Sequence, residues 1–206
     1  MSIEPASVSP EFLASVQPIV LVGGKSRRFG RDKLREPWAA PGRMLVQQPI
    51  DTLRAVFGPR VKLVGECDPG LLPLADGLIP DLYPGAGPIG GILSALIDHR
   101  GPVFVLAGDM PSFSPRDAMH ILGTAQRHPE SPAVLAFALR LHPCAGVYAP
   151  TARSILEIEM SRGHRSLSAV LAERPTLTVS VPESSVTNIN FPPLESIRGV
   201  DISSEC

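Results

Sequence analysis

The sequence predicts an α/β protein of one domain, built on a mostly parallel sheet, and three observations carry that prediction. Short apolar runs suited to buried strands alternate with stretches of helical periodicity, the pattern left by repeated β-α units. The first such run, Ile19-Val20-Leu21-Val22, breaks abruptly into the glycine-rich, basic stretch Gly23-Gly24-Lys25-Ser26-Arg27-Arg28-Phe29-Gly30. The 206 residues are enough for one sizeable core, and no repeat or linker divides them.

Taken in order, the first strand covers Gln17 to Val22. Leu45, Val46, Ile50, Leu53 and Val56 have helical spacing, so Met44 to Phe57 reads as a helix stopped by Gly58-Pro59. Val61 to Val64 is a second strand and Ile79 ends another. Gly87-Pro88-Ile89-Gly90-Gly91 leads into a helix from about Ile92 to Asp98, and Val103 to Ala107 is a buried strand. Ser114-Pro115 opens a helix reaching about Arg127, with serine as cap and proline at the first helical position. Strands at Ala133 to Phe137, His142 to Tyr148 and Leu177 to Val181, and helices at Thr151 to Met160 and Ser166 to Ala172, complete the series. Met1 to Val16 and Gly199 to Cys206 are expected to be disordered.

Composition excludes several classes. A net charge of -1 gives no general attraction to nucleic acid, so the cations near residues 25–33 are a local device. Cys67, Cys144 and Cys206 lack C-x-x-C spacing, which argues against a disulfide framework or zinc site and for a reducing cytoplasm. No apolar run approaches the roughly 20 residues needed to span a bilayer, so no membrane role is expected.

The loop after the first strand places Lys25, Arg27, Arg28, Arg31 and Lys33 beside two glycines whose backbone can approach an oxygen-rich ligand, as a phosphate site requires. It is not a P-loop, because the first glycine of G-x-x-x-x-G-K-[ST] would fall on Ile19, and G-x-G-x-x-G fails at Lys25. Gly23, Asp81 and Asp109 all fall at carboxyl ends of strands, where ligands bind in parallel sheets. A strand-end aspartate beside a phosphate loop suits Mg²⁺, which takes carboxylate oxygens together with substrate phosphates and waters. Asp109 is the candidate ligand, its alternative role being a cap for Met110 to Phe113. Asp81, between Pro80 and Pro84, has a plain turn role as its alternative. Lys33 reaches phosphate only if the loop folds over its ligand.

With these residues in place, the chain resembles the molybdenum cofactor guanylyltransferases, a branch of the α/β nucleotidyltransferases. The resemblance rests on Leu21-Val22-Gly23-Gly24-Lys25-Ser26-Arg27-Arg28-Phe29-Gly30 with Asp32-Lys33. It continues in Asp81 with Pro84-Gly85-Ala86-Gly87-Pro88-Ile89-Gly90-Gly91-Ile92, in Gly108-Asp109-Met110-Pro111, in His142-Pro143 with Gly146-Val147-Tyr148, and in Asn188-Ile189-Asn190 with Pro192. It implies a Rossmann-like three-layer sandwich of nucleotidyltransferase type over residues 17–197, between an N-terminal extension (1–16) and a C-terminal tail (198–206). It further implies GMP transfer from Mg-GTP to molybdopterin with release of pyrophosphate, and transient contacts with proteins that make or accept the cofactor.

Residue by residue, the resemblance assigns nucleotide contacts to Leu21, Val22, Gly23, Gly24, Lys33, Asp81 and Asp109, with Asp109 also holding Mg²⁺. Arg28, Lys33 and Asp109 would be catalytic, and His142, Asn188 and Asn190 would face the acceptor. Gly23-Gly24 points to guanine, since cytidylyltransferase relatives usually have alanine at the first glycine and its missing methyl would give a purine room. Two departures stand out. Gly65 or Glu66 occupies the place of a customary asparagine, and the long segment Arg35 to Gly42 would change the cover over the triphosphate. Cytidylyl transfer to molybdopterin, nucleotidyl transfer to a sugar 1-phosphate and a non-catalytic GTP-binding accessory role remain open on the sequence.

Overall fold

The computed structural model describes residues 7–23, 33–164, 166–172 and 174–189. The elements run α1 (Pro10–Ser15), β1 (Gln17–Leu21), β2 (Pro37–Trp38), β3 (Ala40–Met44), α2 (Gln47–Phe57), β4 (Lys62–Val64), β5 (Gly77–Ile79) and α3 (Pro88–Asp98). After them come β6 (Val103–Ala107), α4 (Pro115–Arg127), β7 (Ala133–Ala138), β8 (Arg140–Tyr148), α5 (Ala152–Ser161), α6 (Leu167–Ala172) and β9 (Leu177–Ser180). Seven strands form one sheet in the order β5-β4-β1-β6-β8-β7-β9. Every neighbouring pair is parallel except those made by β8. The carboxyl ends of β5, β4, β1, β6, β7 and β9 therefore share one edge, and the start of β8 joins them there.

Successive side chains on a strand point to opposite faces, and the sequence fills both faces with apolar groups. Ile19, Val103 and Val105 meet Ile89, Ile92 and Leu93 of α3, Leu156 of α5 and Val170 of α6. Val20, Leu63, Phe104 and Leu106 meet Ile50, Leu53 and Phe57 of α2 and Ile121 and Leu122 of α4. Phe104 anchors the second layer through tilted ring contacts with Phe57 at 5.6 Å and Phe113 at 6.3 Å. Each fully buried Val, Leu, Ile or Phe contributes about 1.5–3 kcal/mol, so the two layers lock the sheet edge in place.

The structure departs from the sequence expectations in three places. Residues 8–16 are not disordered: Ser9 caps α1 by accepting from Phe12 N–H, and Val8 and Val16 are buried. Helix α2 begins at Gln47 rather than Met44, because Met44 ends β3 and pairs with Pro37. Helix α3 begins four residues early, with Pro88 in its first turn. The long segment after Lys33 is the β2–β3 hairpin, and Trp38 packs against the core. The Ser114 reading holds, reinforced by a reciprocal capping box with Asp117.

One irregularity faces the ligand edge. Pairing between β7 and β8 jumps from Leu135↔Gly146 to Ala136↔His142, so Pro143, Cys144 and Ala145 bulge out of register. The buried Tyr148 hydroxyl donates to the Pro143 carbonyl at 2.7 Å and fixes the bulge from within.

Candidate active site

At the centre of the ligand edge, β1 and β6 lie side by side, and their ends are tied by Gly108 N–H donating to the Leu21 carbonyl at 3.0 Å. On the other side of β1, Val22 N–H donates to the Val64 carbonyl at 3.0 Å. These two groups of Leu21 and Val22 are occupied by the sheet, so the pair serves to set Gly23 at the mouth of the switch between β1 and β6. Asp109 follows in the turn after β6, where Met110 N–H closes on the Ala107 carbonyl at 3.2 Å.

Lys33 opens a 3₁₀ turn, Lys33–Arg35, and its ammonium donates to Asp109 Oδ2 at 2.6 Å. Side-chain exposures of 21% and 13% make this a partly desolvated pair with a charge-assisted bond, stronger than a surface ion pair. Asn188 Nδ2 donates to the same oxygen at 3.3 Å. The chain around Asn188 is strapped to this point: Ile189 N–H donates to the Asp109 carbonyl at 2.9 Å, and the Ile189 carbonyl accepts from Lys33 at 3.4 Å. The Asp109 carboxylate thus takes these contacts rather than capping Met110 to Phe113. Among the described residues both side-chain contacts fall on Oδ2, which leaves Oδ1 as a hard donor suited to a divalent cation.

The structure joins Leu21, Val22, Gly23, Lys33, Asp109 and Asn188 into one site. Gly24, Arg28 and Asn190 lie outside the described residues. Asp81 stands apart, two strands from β1 at the end of β5, and its Oδ1 accepts from Tyr83 N–H at 2.9 Å, a turn-forming contact. His142 is buried near the start of β8, at the edge that carries Asp109. Burial and the Arg140 charge lower its pKa against a backbone hydrogen bond with Ala138, so the imidazole is neutral near pH 7.

Two features escaped the sequence reading. Cys144, on the bulge, is close enough to feel the Asp109 charge; burial first, and that charge second, push its thiol up to about 12. The other is a backbone contact between the loops after β1 and β4. A Cβ at Gly65 (φ +116°) would lie 2.5 Å from Gly23 N and 2.7 Å from Gly23 Cα. A Cβ at Gly23 would in turn lie 3.2 Å from Gly65 Cα. The methyl missing from Gly23 therefore makes room for the neighbouring loop, not directly for a base. Only the adjacent pair of glycines across the strands, invisible to a linear reading, signals this.

Comparison with known proteins agrees with the geometry. The model of the MobA-like NTP transferase domain matches residues 18–177. A protein of Opitutus terrae named "Probable molybdenum cofactor guanylyltransferase" is 30% identical over 184 residues, covering 84% of this chain and 89% of its own. The crystal structure of molybdopterin-guanine dinucleotide biosynthesis protein A from Archaeoglobus fulgidus superposes with a TM-score of 0.67 at 26% identity, over 85% of this chain and 92% of that one. An Aquifex aeolicus crystal structure gives a TM-score of 0.70 at 26% identity, over 86% and 94%.

Proposed function

This chain belongs to the MobA-like NTP transferase family and is a nucleotidyltransferase, and from that premise we propose that it transfers GMP from Mg-GTP to molybdopterin, releasing pyrophosphate. The observation that carries the reading is the cluster of Lys33, Asp109 and Asn188 beside Gly23, a cation, a carboxylate and an amide at the strand ends where a triphosphate would lie. The names of the Opitutus and Archaeoglobus relatives support guanine and molybdopterin as the partners in the transfer.

Asp109 would hold the Mg²⁺. No cluster of three or more His, Cys, Asp or Glu occurs among the described residues, which suits an ion completed by phosphate oxygens and waters. When bound, the ion supplies positive charge shared between the triphosphate oxygens. Lys33 is the moving part. Its ammonium neutralises Asp109 in the resting protein and turns to the triphosphate when the substrate arrives, where it offsets the charge that builds on the leaving pyrophosphate. Asn188 stays on Asp109 Oδ2 and keeps the carboxylate aimed while Lys33 leaves. Arg28 would assist Lys33 at the triphosphate.

The bond that forms joins an acceptor phosphate oxygen to the α-phosphorus, and the bond that breaks is the α–β bridging P–O, whose electron pair leaves with pyrophosphate. The attacking oxygen is already ionised, so no strong general base is needed. The neutral His142 and Asn190 stand as acceptor-side contacts, whereas Asn188, expected beside them, is committed to Asp109 Oδ2 instead. Handing over the dinucleotide calls for transient contact with acceptor proteins. No described helix is long and apolar enough to cross a membrane, and a cytoplasmic setting suits the substrates.

The test mixes the protein with molybdopterin, Mg²⁺ and either GTP or CTP, and quantifies pyrophosphate and dinucleotide. GTP should yield both in equal amounts. Preferential turnover of CTP would overturn the guanylyl assignment, and nucleotide binding with no pyrophosphate from either would make the protein an accessory binder.

A further inference from the structure

We infer that Tyr148 is a positioning residue for the transfer, its hydroxyl holding the Pro143 bulge so that the start of β8 faces the acceptor; this rests on the reading of His142 as an acceptor-side contact. β8 runs against β6 and β7, so Tyr148, paired with Val103 and Ala133, lies toward the edge opposite the ligand. Five residues of regular strand would separate it from Pro143 by about 17 Å, beyond the reach of a phenol side chain. The 2.7 Å bond exists because β8 gathers Pro143, Cys144 and Ala145 between its pairings with Leu135 and Ala136.

The ladder with β6 ends at the same place. Leu106 pairs with Ala145, and the chain of β6 then runs on through Ala107 and Gly108 to Asp109. The bulge therefore stands beside the turn that carries the proposed metal ligand. Cys144 is near enough to feel the Asp109 charge, and it packs on the same layer as Ile189, whose N–H holds the Asp109 carbonyl. His142, on the other flank of Pro143, is buried where pairing with Ala136 resumes.

Pro143 has no N–H and cannot complete a ladder bond through one. Its carbonyl takes the Tyr148 hydroxyl, a group that needs a partner because the residue is fully buried. The ring belongs to the apolar layer of Val103, Val105, Leu156 and Val170, a setting that phenylalanine would fill as well. What the hydroxyl adds to that packing is a fixed position for the Pro143 carbonyl, and with it for the residues on either side.

The test is Tyr148→Phe, with Leu156→Val as a control that loosens the same layer without touching the bulge. Molybdopterin and Mg-GTP binding are each measured by calorimetry, with steady-state kcat and KM alongside. Iodoacetamide labelling of Cys144 in the folded protein is followed by mass spectrometry. Tyr148→Phe should weaken molybdopterin binding and raise its KM by ~3- to 10-fold, the effect of one neutral hydrogen bond, at nearly unchanged kcat. Mg-GTP affinity should stay within about twofold, and Cys144 should label faster. Leu156→Val should lower Tm and leave KM and labelling as in the wild type. Normal molybdopterin binding or unchanged Cys144 labelling in Tyr148→Phe, a parallel loss of both substrates, or the same rise of KM in Leu156→Val would overturn the positioning role. Binding is read without turnover, so a wild type that binds molybdopterin but prefers CTP overturns the guanylyl reading alone. A wild type that does not bind molybdopterin overturns both.

Discussion

Replacing Gly65 with alanine tests the close backbone approach between the loops after β1 and β4. The new Cβ would sit 2.5 Å from Gly23 N, about 0.9 Å inside the 3.4 Å at which ordinary van der Waals contact begins, and what it meets is backbone that cannot rotate away. Overpacking of that kind destabilises by about 1–3 kcal/mol. The positive φ adds about 1–3 kcal/mol for any residue with a side chain. For a chain of this size a kcal/mol lowers Tm by roughly 2–4 °C, so the variant should unfold roughly 5–20 °C below the wild type. Gly163 is the control, since its φ is +81° and an added Cβ meets nothing within 4 Å. Gly163→Ala carries only the conformational part, and the excess of Gly65→Ala over it, roughly 2–12 °C, isolates the clash. Thermal unfolding followed by circular dichroism reads both, and GTP affinity should fall in Gly65→Ala alone because Gly23 is displaced. Equal melting temperatures for the two variants would refute the close approach.

Lys33→Ala should lower kcat/KM by about 10²–10³-fold, the range found on removing one group that meets developing charge. Asn188→Ala should reduce kcat by ~10- to 100-fold with little change in KM, because it aims Asp109 without touching the substrate; a change confined to KM would contradict that role. Cys144 gives a pH signature. Below pH 9 the folded and unfolded states both hold the thiol proton; above it the unfolded chain loses the proton while the fold keeps it to about 12, so stability drains away as pH rises through that window. Cys144→Ala should show a shallower alkaline loss of stability in denaturant melts, and an unchanged slope would count against its partly buried place near Asp109.

The buried strands were legible because apolar runs bounded by glycine, proline and aspartate have few other uses, and β6 falls on the predicted residues, Val103 to Ala107. The start of α4 was legible for a local reason, a serine cap followed by proline. The same signal, Ser9-Pro10, opens α1 and went unread, because the segment carries no chemistry and is only six residues long. The β2–β3 hairpin was hidden by two prolines and a glycine that read as loop, although Trp38 has the size to hold it on the core. At the site, Asp109 and Lys33 could be paired by chemistry, but their 2.6 Å contact spans 76 positions and depends on the fold. The Gly23–Gly65 contact and the bulge at Cys144 are tertiary in origin. Neither leaves a periodic or compositional trace, so each became visible only once the strands were in register.

The most direct test of a single nucleotide gripped by β1 and β6 is a crystal structure with Mg²⁺ and a non-hydrolysable GTP analogue. The triphosphate should lie against Gly23, with the metal on Asp109 and the Lys33 ammonium moved from its 2.6 Å contact with that carboxylate to a phosphate oxygen. A nucleotide bound elsewhere, with the Lys33–Asp109 pair intact, would contradict the account.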